Sequence, residues 1–239
     1  MTTNFPTRRR ILDRIRAATQ PTANNPVLLA GAYAVLPRSY IRQGQLSVDA
    51  RIELMIERLR EYGAEVVECP PEALPGVIAA QLIAAGKHNF VAPLGLPAEW
   101  LTPASACPGI QITPDHGLTH AEIEQADGVL TAAFCGVADS GTIILHHSAT
   151  EGRRVLTLLP DWHLCILQAS QIVETFPEYF DRCLQPPDLM TTISGPSATA
   201  DIEMTRIKGV HGPRFLHVII VRDQGSTPKS IAGHTNRPH

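Results

Sequence analysis

The sequence predicts an α/β protein in which a mainly parallel sheet is covered by helices on its faces. Of its 239 residues, 44% are hydrophobic, which is enough to build a substantial core within one domain. Strand-like and helix-like segments alternate from residue 64 to about residue 126, as they do in parallel βαβ units. After Val129, apolar runs of strand length separated by turn residues dominate.

The first 46 residues are predicted to form a helix followed by a partly ordered arm. The segment RRILDRIRAATQ, residues 8–19, places Ile11, Leu12 and Ile15 on one helical face. An α/β domain is expected at 47–221. The polar tail at 222–239 shows no periodicity and is expected to be mobile.

The α/β domain opens with a well-marked amphipathic helix. Ser47 is a suitable N-cap for VDARIELMIERLREYG, and Gly63 is a suitable end. The apolar stripe of this helix consists of Ile52, Met55, Ile56 and Leu59.

The following segments alternate between the two types of structure. Strands are expected at AEVVEC (64–69) and NFVAP (89–93), and helices at 71–86, interrupted by Pro75, at 98–101 and at 118–126. In the last of these helices, Thr119 and Glu122 have the spacing of a capping box.

Strands make up most of the C-terminal half. They are expected at VLTAAFCGVA, TIILHH, RVLTLLP, HLCILQ, MTTIS (190–194) and FLHVIIV (215–221). Gly141 and Gly152, in the turns between them, are expected to adopt positive φ angles. The segment ETFPEYFDRCL (174–184) is predicted to be a helix with Pro177 in its first turn, where proline is tolerated.

Composition and motifs argue against several classes of function. The 20 basic and 23 acidic residues give a net charge of −3, without the basic stripe that binds nucleic acid. The sequence has no export signal and no apolar run that could span a bilayer, so we expect a cytoplasmic protein. Five widely spaced cysteines without a CxxC pair predict neither a disulfide framework nor a bound iron–sulfur cluster, and no cofactor is expected.

The histidine pairs do not predict a metal site. His146 and His147 are adjacent on an expected strand, so their side chains point to opposite faces. His116 and His120 have i, i+4 spacing, but Gly117 between them indicates a loop that leads into a helix.

The run SGPSATADIEMTRIKGVHGP, residues 194–213, has two interpretations. As a connection between parallel strands it could hold a short helix, with Asp201 and Glu203 in its first turn and Gly209 at its end. As a ligand site, its small residues offer backbone N–H groups and hydroxyls to an anion. The loop ADSGT, residues 138–142, has the same chemistry.

We expect these two loops to meet at one pocket beyond the carboxyl ends of the strands, where open α/β sheets bind ligands. The candidate ligand-binding residues are Ser140, Gly141, Thr142, Ser194, Gly195, Ser197, Thr199 and Asp201. The candidate catalytic residues, suited to proton transfer, are Asp139, Glu203 and His211. The alternative is that the two acids cap turns and that His211 hydrogen-bonds its own turn.

The chain contains three characteristic segments, FCGVADSGTIIL, VLTLLPDWHLCILQASQIV and SGPSATADIEMTRIKGVHGPRFLHVIIV. Together they resemble the LUD domain, as in the lactate utilization protein C family, over about residues 118–221. Two positions depart from the family pattern. Asp139-Ser140-Gly141 stands where Glu-Thr-Gly is usual, and Ala198 stands where many members have an arginine that could clamp an anion.

The resemblance implies a Rossmann-like, mostly parallel sheet flanked by helices with an added antiparallel portion, similar to the sugar-phosphate isomerase and CoA-transferase group. It also implies a non-redox component of a system that oxidises L-lactate to pyruvate with iron–sulfur partner proteins, binding a small anionic ligand or docking to those partners. One alternative is an independent transferase or isomerase acting on an acyl-CoA or a sugar phosphate, and another is a pure assembly protein. The sequence leaves open whether the chain is an enzyme and whether it forms a homo-oligomer.

Overall fold

The computed structural model divides the chain into two compact units, residues 1–40 and 41–239. The described residues are 6–19, 31, 33–37, 39–183, 185, 187–200, 206–208 and 212–222. In the first unit, helix α1 spans Pro6–Thr19, which confirms the predicted N-terminal helix. Within the described ranges, no helix is both long enough and apolar enough to cross a membrane.

The second unit is built on a six-stranded sheet in which all neighbouring strands are parallel. Numbered in chain order, its strands are β1 (Glu65–Cys69), β2 (Asn89–Ala92), β3 (Gln111–Pro114), β4 (Gly128–Ala132), β7 (Trp162–Gln168) and β12 (Phe215–Val221). The order across the sheet is β1-β12-β7-β4-β2-β3. The predicted mainly parallel sheet is therefore confirmed, with β7 near its centre.

A second sheet supplies the expected antiparallel portion. Its strands are β5 (Cys135–Val137), β6 (Thr142–Leu145), β8 (Ile172–Val173) and β9 (Thr191–Ile193), in the order β8-β5-β6-β9. Strand β6 is antiparallel to both of its neighbours. Every residue of β5, β6 and β8 is buried, because one face packs toward the main sheet and the other against helix α6 (Phe176–Arg182).

Helices cover both faces of the main sheet. Helix α2 (Val48–Glu61) packs on one face with the second sheet, through the four residues of the predicted stripe. Helices α3 (Leu74–Ala84) and α4 (Ala98–Ser105) cover the opposite face, around Phe90 and Trp162. The short helix α5 (His120–Glu124) buries Ile123 over β2 and β4.

Side-chain caps confirm two of the predicted helix starts. The Ser47 hydroxyl accepts a hydrogen bond of 3.2 Å from the backbone N–H of Ala50, at the start of α2. Thr119 and Glu122 form a complete capping box at the start of α5. Each cap satisfies N–H groups that the first turn of a helix leaves without an internal partner.

Two smaller predictions are wrong, and one strand was not predicted. The segment RVLTLLP forms a 3₁₀ turn at Arg154–Thr157 instead of a strand. Pro75 lies in the first turn of α3 and does not interrupt it, because an N–H is not needed there. Strand β3 was not expected, since QITP has only one large apolar residue; it is a short strand at the end of the sheet and pairs with β2 alone.

The largest difference from the prediction concerns residues 194–213. Strands β10 (Ala198–Ala200) and β11 (Arg206–Lys208) pair antiparallel, so the predicted crossover helix is wrong. The physical reason is that β9 belongs to the second sheet and β12 to the main sheet, so the connection between them is not a parallel crossover. Asp201, Glu203, Gly209 and His211 lie outside the described residues.

The turn at Gly141 offers a test of packing against α2. Gly141 has a φ angle of 58°, and an added Cβ would lie 2.6 Å from the Cβ of Arg58. Gly86 has a similar φ of 63° but open space around it. We expect Gly86→Ala to lower the free energy of unfolding by about 1 kcal/mol through backbone strain alone. Gly141→Ala should cost roughly 2–4 kcal/mol, because overpacking is added. Equal losses in urea denaturation would contradict the close approach to α2.

Candidate functional site

A chain of hydroxyl groups joins the two loops singled out in the sequence. The Oγ of Ser140 lies 2.9 Å from the Oγ1 of Thr142, which lies 2.8 Å from the Oγ of Ser194. Thr142 begins β6 and Ser194 follows β9, and the antiparallel pairing of these strands brings the two residues side by side. Thr142 is buried, so its hydroxyl needs such partners.

The glycines of both loops are explained by the approach of the loops to α2. A Cβ at Gly141 would collide with Arg58, and a Cβ at Gly195 would collide with the side chain of Tyr62, just after the helix. Both glycines also have positive φ angles, of 58° and 87°. The predicted role of these glycines was close contact with a ligand, but helix packing accounts for the absence of a side chain at both positions.

A cavity of about 270 Å³ lies beside Ser194. Its walls are the 3₁₀ turn at Arg154–Thr157, the first residues of β7 and β12, and the chain from β9 to residue 197. The polar residues of the wall include Arg154, Thr157, His163, Ser194 and Ser197. Leu158, Ile193 and Leu216 provide apolar surface. Small-molecule sites commonly combine these two kinds of lining.

The cavity lies at the amino ends of the parallel strands, so its predicted position beyond the carboxyl ends is wrong. His163 and Leu216 are the second residues of β7 and β12. Just before these strands, the guanidinium of Arg214 donates two hydrogen bonds, of 2.5 and 2.8 Å, to the carboxylate of Asp161. The loop after β9 can reach this end because it comes from the second sheet.

The predicted site residues have different positions relative to the cavity. Ser194, Gly195 and Ser197 line the cavity, whereas Ser140, Gly141 and Thr142 stand behind Ser194. Asp139 is exposed and does not line the cavity; its backbone N–H donates to the carbonyl of Glu174. The backbone of Thr199 pairs with Ile207 in the β10–β11 hairpin. Asp201, Glu203 and His211 are not among the described residues.

His163 is a site residue that the sequence reasoning missed. Its imidazole is only 1% exposed, and its Nε2 lies 2.8 Å from the Oγ1 of Thr131 on β4. Burial lowers the pKa of His163 to about 4, so the ring is neutral at physiological pH. The available signal was a histidine inside WHLCILQ, an apolar segment in which a polar residue needs a specific partner.

Arg154 is the second missed residue and the cation of the cavity wall. The neighbouring Arg153 donates two hydrogen bonds of 2.7 Å to the carboxylate of Asp115, and these hold the pKa of Asp115 below its ordinary value. Arg154 has no carboxylate partner within the described part of the chain. It is exposed, and it is the only basic residue among the described residues that line the cavity.

The two adjacent histidines follow β6 and do not belong to it, contrary to the prediction, and they have separate surroundings. The ring of His146 stacks on Phe134 at 3.6 Å, and its Nε2 lies 2.8 Å from the hydroxyl of Tyr179. The Nε2 of His147 instead lies 2.8 Å from the Oγ1 of Thr191. Among the residues that the structure describes, no three His, Cys, Asp or Glu side chains are grouped so that they could hold a metal ion.

The sequence of the chain is similar to those of several known proteins. Residues 52–221 match the family model of the LUD domain. The chain is 41% identical to lactate utilization protein C of Deinococcus radiodurans over 169 residues, which cover 69% of this chain and 76% of that protein. It is 37% identical to lactate utilization protein C of Bacillus subtilis over 108 residues, which cover 42% of this chain and 45% of that protein.

A solved structure is similar to the fold described above. The crystal structure of a DUF162 family protein from Deinococcus radiodurans matches with a TM-score of 0.62 and 34% sequence identity. The match covers 74% of this chain and 99% of that one. The expected similarity to the sugar-phosphate isomerase and CoA-transferase group stays a prediction.

The buried imidazole of His163 should make stability depend on pH. In the unfolded chain a histidine has a pKa near 6.5, whereas the folded value is about 4. As the pH falls from 7 to 4.5, only the unfolded chain gains this proton, and the free energy of unfolding decreases. In His163→Gln this loss should be smaller by about 2–3 kcal/mol, measured by urea denaturation at both pH values.

The matched control for this measurement is His116→Gln, in an exposed loop. We expect this control to keep the pH dependence of the wild type. An unchanged pH dependence in His163→Gln would show that the ring takes up its proton equally well in both states, contrary to its position in the structure.

Proposed function

Because the chain belongs to the LUD domain family, we propose that it works in the utilisation of lactate, as a non-redox component of a system that oxidises L-lactate to pyruvate. The relatives named lactate utilization protein C support this proposal. In it, the cavity at the amino ends of β7 and β12 holds a small anionic ligand, and iron–sulfur proteins are the partners that carry electrons.

The observation that carries the proposal is the charge of the cavity wall. Arg154 contributes a guanidinium, and Thr157, Ser194 and Ser197 add hydroxyl-bearing side chains. No aspartate or glutamate is present among the described residues that line the cavity. A cavity lined by one arginine and several hydroxyl-bearing residues, without a carboxylate, favours an anion, and the volume of about 270 Å³ suits a small one.

The wall divides into parts with different tasks in binding. Arg154 pairs with the carboxylate of the ligand, since a guanidinium matches that group in geometry and charge. Ser194 offers its hydroxyl at the end of the chain of hydroxyls through Thr142 and Ser140, which holds Ser194 in place. Leu158 and Leu216 exclude water on the apolar side of the ligand.

In this proposal, binding and electron transfer belong to different proteins. Conversion of lactate to pyruvate releases two electrons and two protons from the C–H and O–H bonds of carbon 2. The residues of this chain bind and orient the anion, and the partner proteins accept the electrons. A transferase or isomerase would instead need a carboxylate base or nucleophile at the cavity, and the described lining provides none.

Growth on lactate tests the proposal. We expect deletion of the gene to abolish growth on L-lactate as sole carbon source while growth on glucose continues. The wild-type gene should restore growth, whereas Arg154→Gln should restore it poorly, because the cavity loses its cation. The matched control is Arg10→Gln, on the exposed surface of α1.

Two outcomes would contradict the proposal. The first is unimpaired growth of the deletion strain on L-lactate when no second copy of the gene is present. The second is full complementation by Arg154→Gln. A melting curve of purified Arg154→Gln that overlays the wild-type curve shows that any loss of growth comes from the cavity and not from unfolding.

A further inference from the structure

Helix α1 of the first unit is strongly basic, and no residue of it lines the cavity. It holds five arginines and one aspartate, a net charge of +4, in a chain whose net charge is −3. The remaining residues together therefore carry a net charge of −7. An anionic surface would attract this helix and repel the remainder of the chain, which favours α1 as the part that makes contact with such a surface.

The apolar side of α1 is exposed. Ile11, Leu12 and Ile15 share one face of the helix, as the sequence predicts, and are called the α1 stripe below. Ile11 is 54% exposed, Leu12 38% and Ile15 52%. Contact of large aliphatic side chains with water is unfavourable, so a stripe of them on a charged helix indicates a surface that covers it.

Exposed arginines border the α1 stripe on both sides. Arg9 precedes Leu12 by three residues and Arg14 follows Ile11 by three, so each arginine lies about 60° around the helix from its neighbour, in opposite directions. Arg8 lies at the N-terminal end of the stripe. Arginine side chains in such positions lay their aliphatic stems along an apolar surface and extend the charged end outward, as they do at the boundary between lipid chains and headgroups.

A second segment of the first unit is apolar and uncharged. Residues 27–36, VLLAGAYAVL, contain no charged residue. In the described part of this segment, Val35 and Leu36 are exposed. Stable attachment to a membrane surface generally takes two signals, such as an apolar element and a basic patch, because one alone gives marginal binding. The first unit contains both.

We propose that α1 is a membrane-surface helix that lies in the plane of an anionic lipid bilayer, with the α1 stripe against the acyl chains and Arg9 and Arg14 at the lipid phosphates. A guanidinium suits this position because it binds phosphate through two parallel hydrogen bonds. With 14 residues and five arginines, the helix is too short and too charged to cross the bilayer. The inference goes beyond the proposed function and does not depend on the ligand cavity.

Vesicle binding tests the inference. The purified full-length chain is mixed with phosphatidylcholine vesicles that contain either no anionic lipid or about 30 mol% phosphatidylglycerol, and the bound fraction is measured by flotation. In about 0.1 M salt, we expect binding to the anionic vesicles to be at least about 10-fold stronger. In about 0.5 M salt this preference should largely disappear, because screening shortens the range of the lipid charge.

Ile11→Asp is the informative variant, because it places a carboxylate in the α1 stripe. We expect its binding to anionic vesicles to fall at least about 10-fold, since apolar contact is lost and the new charge is repelled. The matched control is Ile83→Asp, which changes an isoleucine of similar exposure on α3. Its binding should stay within about twofold of the wild type.

Two arginines of α1 test whether the stripe faces the lipid. Arg14 borders the stripe, whereas Arg10 lies nearly opposite it. The helix is about 10 Å thick, which is comparable to the Debye length in about 0.1 M salt. We therefore expect Arg14→Gln to weaken binding about fivefold and Arg10→Gln less than about twofold.

Several results would overturn the inference. The first is failure of the chain to bind anionic vesicles, including the case in which α1 instead joins two copies of the chain or holds an acidic protein. The second is unchanged vesicle binding by Ile11→Asp. The third is a melting temperature of Ile11→Asp far below that of the wild type, which would show that the α1 stripe is packed in the free protein. None of these results bears on the ligand cavity, which growth on lactate tests.

Discussion

The close approach of two loops to the last turns of α2 is the constraint on which the cavity depends. Gly141 lies against the backbone of Arg58 and Leu59, and Gly195 lies against Tyr62. Only residues without a Cβ allow this contact, and both positions also have positive φ angles. The contact brings Thr142 to within 2.8 Å of Ser194 and keeps the chain after β9 over the first residues of β7 and β12.

The main sheet combines an apolar core with a few polar side chains on its central strands. Thr131 and Cys165 are register partners on β4 and β7, and His163 precedes Cys165 by two residues on the same face. Cys165 lies in the core cluster on this face, which otherwise consists largely of aliphatic residues. Burial of polar groups costs free energy unless partners are present, and the 2.8 Å contact between the Oγ1 of Thr131 and the Nε2 of His163 provides a partner for both.

Local signals predicted much of the fold, and long-range pairing decided the rest. The stripe and cap of α2, the capping box of α5 and the positive φ of Gly141 are all encoded within a few residues. The β10–β11 hairpin depends instead on β9 joining a different sheet from β12, which no local pattern reveals.

The candidate site shows the same contrast between features that local sequence predicts and features that only the fold determines. Its small residues with hydroxyls were visible in the sequence, and the structure brings Thr142 and Ser194 together. Arg154 and His163 were missed because the fold, and not the sequence around them, brings them to the same cavity.

The two consecutive arginines, Arg153 and Arg154, show how the fold also fixes the position of the arginine that lines the cavity. Arg153, the residue before the 3₁₀ turn, is clamped to Asp115 just after β3, at the edge of the sheet. Arg154, which lines the cavity, is thus linked through its neighbour to a strand that forms no part of the cavity wall, and a displacement of that strand would be transmitted to Arg154.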